Sequence, residues 1–346
     1  MPAEWERHEA TWLGWPHHPT DWPDKLSTIH WVYGEMVRKL TAGEIVRIMV
    51  NDRREERQAR RVLSRAHVDL KRVEFVLHRT NRGWTRDSGP IFVQRPRGRG
   101  RGRETAIVHF HFNAWAKYRD WQHDRRVPEI AARRLGQTLF EATRDDGRPF
   151  VLEGGGIDVN GRGTLLTTEE CYLHPKVQVR NPGVGRAEFE RVVKANLGVT
   201  NVFWLGDGLV GDDTHGHVDD LCRFVNPRTV VLIRENNRRD VNYRPLAENW
   251  ERIRDLRLED GSKPEVVALP MPGPQIFDGM RLPASYANFY IGNAFVLVPT
   301  FNDPNDRIAL GTLAELFPDR KVVGIHAADL VLGFGTLHCL TQQQPA

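Results

Sequence analysis

Apolar residues along this chain fall into short runs that come in pairs, and each pair is followed by a longer stretch in which apolar positions recur at helical spacing. The segment LEGGGIDVNGRGTLLTT from Leu152 reads as two strands joined at Asn160-Gly161, a dipeptide favoured in hairpins. A helix from about Gly185 to Asn196 and a strand from Val202 to Leu205 follow it. From His217 the pattern returns, with GHVDDLCRFVNPRTVVLIRE as the hairpin, a helix near Pro245 to Asp255 and a strand from Val266 to Pro270. A third copy starts at Ser285 with SYANFYIGNAFVLVPTF, continues in a helix from about Pro304 to Phe317 and ends in the strand Val322 to His326. An earlier copy starts at Trp84: WTRDSGPIFV and TAIVHFHF form its hairpin, a helix covers about Pro128 to Leu139, and a strand leads into Glu153. The two chain ends supply the last copy, LHCLTQQ pairing with ATWLGWP, followed by a helix near Leu26 to Leu40 and the strand EIVRIMV.

This layout predicts an α/β fold in which residues 1–346 form a single closed domain of about five ββαβ units around a central axis. Simple α/β alternation is the competing reading, and the nearly equal spacing of Asp87, Glu153 and His217 argues for the repeat.

Composition changes the picture little. A chain of 346 residues with 40% hydrophobic content can bury a large core. The net charge of +4 is spread along the chain, apart from the Arg-Gly stretch Arg95 to Arg103. That stretch lies between two apolar runs and has no aromatic residues interleaved, so it reads as a solvated hairpin tip and not as a nucleic-acid contact. Three cysteines, Cys171, Cys222 and Cys339, without a CxxC spacing fit a reducing compartment. No apolar stretch approaches the roughly 20 residues that span a bilayer. A soluble cytoplasmic protein without membrane or nucleic-acid partners is the expectation.

The polar residues that interrupt apolar strands fall at the starts of hairpins: Asp87, Glu153, His217, Asp219 and Cys339. Residues at the starts of equivalent strands around an axis converge, and His217 and Asp219, two positions apart, share a face if the backbone is extended. A thiol, an imidazole and three carboxylates together suit guanidinium chemistry. Asp87 and Asp219 can pair with the N–H donors of a planar cation. Cys339 can attack its central carbon, and His217 can move protons to the departing nitrogen and from water. Glu153 is suited to orienting the imidazole.

Each assignment has a structural competitor. Cys339 is in isolation a small buried hydrophobe, the reading kept for Cys171 and Cys222. Asp87 stands beside Arg86 as a potential ion-pair partner, and Glu153 before three glycines as a turn cap. The pair His215 and His217 has the form of a metal-binding HxH, but lacks a further His-rich partner motif. His338, next to Cys339, is expected on the opposite face of a strand, and is not taken as the base.

At these residues the sequence resembles the agmatine deiminase family, which also includes the bacterial peptidylarginine deiminases of the Porphyromonas type. The likeness runs through MPAEWERHEATWLGWP, WTRDSGP, FNAW, LEGGGIDVNGRGTLLTTEECYL, GDDTHGHVDDLCRF, ASYANFYIGN and LHCLTQQQP, and so over nearly the whole chain. The resemblance implies the five-bladed α/β propeller of guanidine-modifying enzymes, the pentein fold. It implies a nucleophile at Cys339, the acid/base at His217, Glu153 in the EGG position, and substrate-binding residues at Asp87, Asp219 and Trp84. It further implies a reaction without metal or organic cofactor, and it allows a homodimer. For the agmatine branch the products would be N-carbamoylputrescine and ammonia, a step in polyamine synthesis. Three departures bear on the substrate's tail: the short NAWAKYRDWQHD segment, His215 where the family's agmatine enzymes usually carry Asn, and GFGT, with Phe334 and Thr336, in place of a glycine run. They leave free arginine, a peptidyl arginine or a small substituted guanidine as alternatives to agmatine. Amidine transfer to an amine and a catalytically silent guanidine-binding protein are the other readings.

Overall fold

The computed structural model describes residues 1–97 and 102–346, so the middle of the Arg-Gly stretch, residues 98–101, lies outside it. Among the described residues the strands form five mixed sheets of three or four strands and one two-stranded ribbon. Each mixed sheet is built alike: two strands pair antiparallel, a helix crosses over, and the next strand pairs parallel to the second. The pairs are Ile91–Pro96 with Arg103–His109, Asp158–Val159 with Thr164–Thr168, Cys222–Asn226 with Thr229–Arg234, and Tyr290–Ile291 with Phe295–Thr300. Their parallel partners are Leu139–Glu141, Asn201–Leu205, Glu265–Pro270 and Lys321–His326. In the remaining sheet the C-terminal strand Thr341–Pro345 pairs antiparallel with the N-terminal strand His8–Gly14, Thr11 standing opposite Gln343.

Local chemistry accounts for the helices. Leu26–Leu40 buries Ile29, Tyr33, Met36, Val37 and Leu40, spaced to form one stripe, and each such side chain contributes about 1.5–3 kcal/mol when removed from water. Pro304–Leu316 starts on a capping box between Asp303 and Asp306, with proline in the first turn. Arg186–Leu197 stops at Gly198, whose φ of 68° lies in the left-handed region. Tyr243–Arg252 and a following 3₁₀ turn fill the segment expected near Pro245 to Asp255.

Some expectations need correction. The helix expected over Pro128 to Leu139 ends at Leu135, because Gly136 caps it at φ 63°. The released chain then forms its parallel strand at Leu139–Glu141, whereas the segment before Glu153 adds only isolated bridges, Val151 to His111 and Pro149 to Thr143. The turn at Asn160-Gly161 is wider than a two-residue hairpin: Asn160 Oδ1 accepts from the N–H groups of Arg162, Gly163 and Thr164. A helix at Arg53–Arg65 and a strand at Val73–Leu77 extend the first sheet without having been expected. That helix buries only Glu56, Ala59 and Leu63, too narrow a stripe to register as an apolar period.

No described helix is long and apolar enough to cross a membrane. The segments that lead into the paired strands are short turns, and the turns Thr85–Ser88, Gly154–Gly156, Val218–Asp220 and Leu337–Leu340 come together.

Candidate active site

The residues singled out in the sequence sit on these turns and not on strands. Asp87 lies in the helical turn Thr85–Ser88, Glu153 begins the 3₁₀ turn Gly154–Gly156, and His217 begins the turn Val218–Asp220, which carries Asp219. His217 and Asp219 therefore approach through a 3₁₀ turn and not through strand alternation. Cys339 likewise lies in the one-turn helix Leu337–Leu340. His338 consequently packs beneath Asp219, and is not carried to the far face of a strand.

Cys339 is 4% exposed, and its Sγ accepts a hydrogen bond from Asn288 Nδ2 at 3.1 Å and stands 3.6 Å from Asp219 Oδ2. Burial pushes the thiol well above its ordinary pKa, the carboxylates of Asp219, Asp220 and Asp87 push the same way, and the Asn288 bond opposes them. The buried ring of His217 lies 3.8 Å from Asp87 Oδ1 and 3.9 Å from Asp219 Oδ1 through Nδ1, and 3.6 Å from Glu153 Oε2 through Nε2. Among the described residues neither ring nitrogen makes a hydrogen bond. Burial disfavours its charged form, but the surrounding acidic groups, Asp87 first, outweigh that and hold its pKa well above the usual histidine value.

The carboxylates differ in their surroundings. Asp87 accepts from Gly155 N at 3.0 Å and from Trp115 Nε1 at 2.9 Å. Its pKa is pushed up to about 6, by burial first, against the pull of His217. Asp87 does not pair with neighbouring Arg86, whose guanidinium turns to Glu4 and Gln343. Asp219 accepts from His338 Nδ1 at 2.6 Å, and despite burial its pKa is lowered, His338 being the main counterweight. Glu153 is engaged by Arg180, whose Nε lies 3.2 Å from each carboxylate oxygen, so its firm partner is Arg180 and the imidazole lies just beyond hydrogen-bond reach. Burial works against the charge on Glu153, but Arg180 and His217 keep its pKa below normal.

A cavity of about 220 Å³ opens onto this cluster, lined by Cys339, Asp87, Trp84, Trp115, Tyr118 and Phe334 and also by Asp21, Arg82 and Asp213. His217, Asp219 and Glu153 stand behind that lining with no exposure. Trp84 donates from Nε1 to Asp21 Oδ2 at 3.2 Å. The short NAWAKY segment supplies Trp115 and Tyr118, the latter bonded to Asp213 at 2.8 Å, and Lys117 pairs with the same carboxylate. Thr336 donates to Asn288 Oδ1 at 2.8 Å and so helps aim the amide that meets Cys339. Phe334 adopts the left-handed conformation at φ 67°, where glycine would be unstrained.

Trp115 and Asn288 lie within FNAW and ASYANFYIGN, so the motifs contained them without revealing their roles. Arg180 carried no signal. His215 does not join His217; it stacks edge-on against His174 at 4.8 Å and its Nδ1 faces Glu170 O at 3.2 Å. Cys171, read as a plain buried residue, places its sulfur within 4.8 Å of ligand atoms of His217 and Glu153. A second group of that kind comprises Asp219, Asp220 and Cys339. In the first group the Arg180 guanidinium already supplies a cation, and of the second only Cys339 lines the cavity.

Gly155 sets the spacing of the cluster. A methyl group there would come within 2.5 Å of His217 Nδ1 and 2.9 Å of Asp87 Oδ1. Gly155→Ala is expected to lower kcat/KM for a guanidine substrate ~100-fold or more, as displacements near 1 Å in a reacting site do. Steady-state kinetics on folded variant checks this, and retention of most of the activity would show that the site tolerates wider spacing.

A buried thiol, an imidazole and carboxylates around one cavity are the equipment of a hydrolase that acts on guanidino groups. The chain belongs to the Porphyromonas-type peptidyl-arginine deiminase family, whose model matches residues 1–345. It is 35% identical to the agmatine deiminase of Pseudomonas aeruginosa, covering 100% of this chain and 95% of that protein. Its structure resembles the agmatine deiminase of Enterococcus faecalis with a TM-score of 0.88 at 30% identity, covering 100% and 95% of the two chains. An agmatine deiminase from C. jejuni with substrate bound gives a TM-score of 0.85 at 28% identity, covering 100% and 96%.

Proposed function

We propose that this protein is an agmatine deiminase, converting agmatine and water to N-carbamoylputrescine and ammonia. The observation that carries the reading is a small cavity lined by the Cys339 thiol, Asp87 and two further carboxylates, Asp21 and Asp213. Agmatine has a guanidinium at one end and an amine at the other, and both are cations. The lining cation Arg82 is already engaged by Asp21 and Asp120, which disfavours it as a holder of arginine's α-carboxylate. The aromatic faces of Trp84, Trp115 and Tyr118 suit an alkyl chain that ends in a cation. Agmatine deiminases among the relatives support the same substrate.

In this scheme Asp87 and Asp219 bond the guanidinium N–H groups, and the arriving cation favours the thiolate of Cys339 over the thiol, whose proton leaves to solvent. The sulfur attacks the central carbon, His217 gives its proton to one terminal nitrogen, and the C–N bond breaks to release ammonia. The S-alkylthiouronium that remains is attacked by water as His217 takes back a proton, and breakage of the C–S bond yields the ureido product and the free sulfur. Glu153, held by Arg180, keeps the imidazole charged before the first step. The five alike sheets support a five-bladed propeller formed by one domain over residues 1–346, in which the turns face a common axis. A cytoplasmic setting, in keeping with the bacterial relatives, belongs to the same reading.

The test is ammonia release by the purified protein with agmatine, free arginine, a blocked arginyl peptide and methylguanidine. Agmatine is expected to give the highest kcat/KM. A higher value for another member would keep the chemistry and reject this substrate. Binding of a guanidine without ammonia release would reject the enzyme reading.

A further inference from the structure

Beneath Asp219 lies a buried ionic cluster, Glu4 and His338 with their arginines, that the scheme above does not use and that is drawn from both ends of the chain. The ring of His338 is 1% exposed, with Nδ1 2.6 Å from Asp219 Oδ2 and Nε2 2.7 Å from Glu4 Oε2. A neutral imidazole has one N–H and one lone pair, and so donates to one of two carboxylates. Two arginines flank the Glu4 end of the row Glu4, His338, Asp219. Arg86 lies 3.0 Å from Glu4 Oε2 and donates from Nε to the carbonyl of His338 at 3.3 Å. Arg223 lies 3.1 Å from Glu4 Oε1 and 3.5 Å from Asp158. Asp220 and Cys339 complete the surroundings on the adjoining turns. Two arginines on Glu4 make it a poor proton holder: although burial opposes the charge, its carboxyl stays well below the ordinary range. Asp219 is lowered as well, the His338 bond being the main counterweight to burial.

We propose that His338 is a positioning residue for Asp219: anchored by Glu4, it pins Asp219 Oδ2 and leaves Oδ1 as the acceptor offered to the substrate guanidinium. Asp219 Oδ1 is buried and has no hydrogen-bond partner among the described residues. Glu4 thereby brings the MPAEWE segment, which the reaction otherwise leaves without a role, into support of the site. The proposal rests on the deiminase reading.

The experiment compares wild type, His338→Asn and Glu4→Gln by kinetics over pH, with ¹⁵N-imidazole NMR of the wild type. His338→Asn is expected to lower kcat/KM ~10- to 100-fold, the range of a lost hydrogen bond to a charged group, mostly through a higher KM. The acid limb of its pH profile should move upward, because Asp219 loses the donor that favours its ionised form. Glu4→Gln should move the limb in the same direction by less. An activity within about threefold of wild type with an unshifted profile overturns the proposal. If His338→Asn does not fold, the NMR decides: a proton on Nδ1, the nitrogen that faces Asp219, supports the proposal, and an Nδ1 that carries none overturns it. Wild type that releases no ammonia from any guanidine defeats the deiminase reading instead, a result separate from the state of the ring.

Discussion

Replacing Cys339 with alanine is expected to lower ammonia release at least ~10⁴-fold while the protein stays folded, because the substitution removes the atom that forms the covalent intermediate. The side chain is small and buried, so its loss leaves a minor void and one unpaired donor, Asn288 Nδ2. The structural cost is then on the order of 1 kcal/mol, visible as a small shift of a denaturation midpoint. Cys339→Ser is expected to be nearly as inactive. Burial and three carboxylates already resist ionisation of the thiol, and a hydroxyl, far less acidic, would resist it more. The measurement is kcat/KM in a coupled ammonia assay, with circular dichroism as the check on folding. Activity above about 1% of wild type in the alanine variant would place the nucleophile elsewhere, and Cys171, beside His217, would be examined next.

The second large effect falls on stability. Arg180 and Glu153 are wholly buried and pair through both carboxylate oxygens, and Arg180 also bonds the carbonyls of Gln178 and Thr214. Arg180→Met removes one partner and leaves the other charge buried, a change that typically costs about 3–5 kcal/mol. Urea denaturation should show that loss as a lower midpoint. The double variant Arg180→Met with Glu153→Gln should recover a large part of it, since removing both charges avoids the uncompensated one. Activity should not return with stability in the double variant, because His217 then lacks Glu153, one of the carboxylates that favour its charged form. A loss under about 1 kcal/mol in the single variant would mean that Glu153 finds water or another donor. Restored activity in the double variant would make the pair structural alone.

The elements legible in the sequence were those whose signal is local. The stripe in Leu26–Leu40 and the proline start of Pro304–Leu316 are written within a few turns of chain, and both helices stand where the pattern put them. The helix Arg53–Arg65 escaped because arginines and glutamates cover all but a narrow stripe of it. The strand before Glu153 was misplaced because Gly136 was read as part of a helix, when its positive φ ends one. The motifs pointed to Cys339, His217, Asp87 and Asp219, which do converge, although the convergence arises from short turns that period-two alternation does not describe.

By itself the sequence determined the repeating order of hairpin, helix and strand, the family, and the set of groups able to attack and bind a guanidinium, because these follow from spacing and side-chain chemistry. Tertiary structure alone decided which groups touch. Arg180 meets Glu153 from 27 positions away, Trp115 meets Asp87 from 28, and Glu4 reaches His338 across 334. A charge in sequence has no preferred partner, since water satisfies it equally well at any position. Once folding strips that water away, a buried charge must be met by whatever donor or acceptor the packing brings within reach, and those meetings set the pKa values on which the site depends.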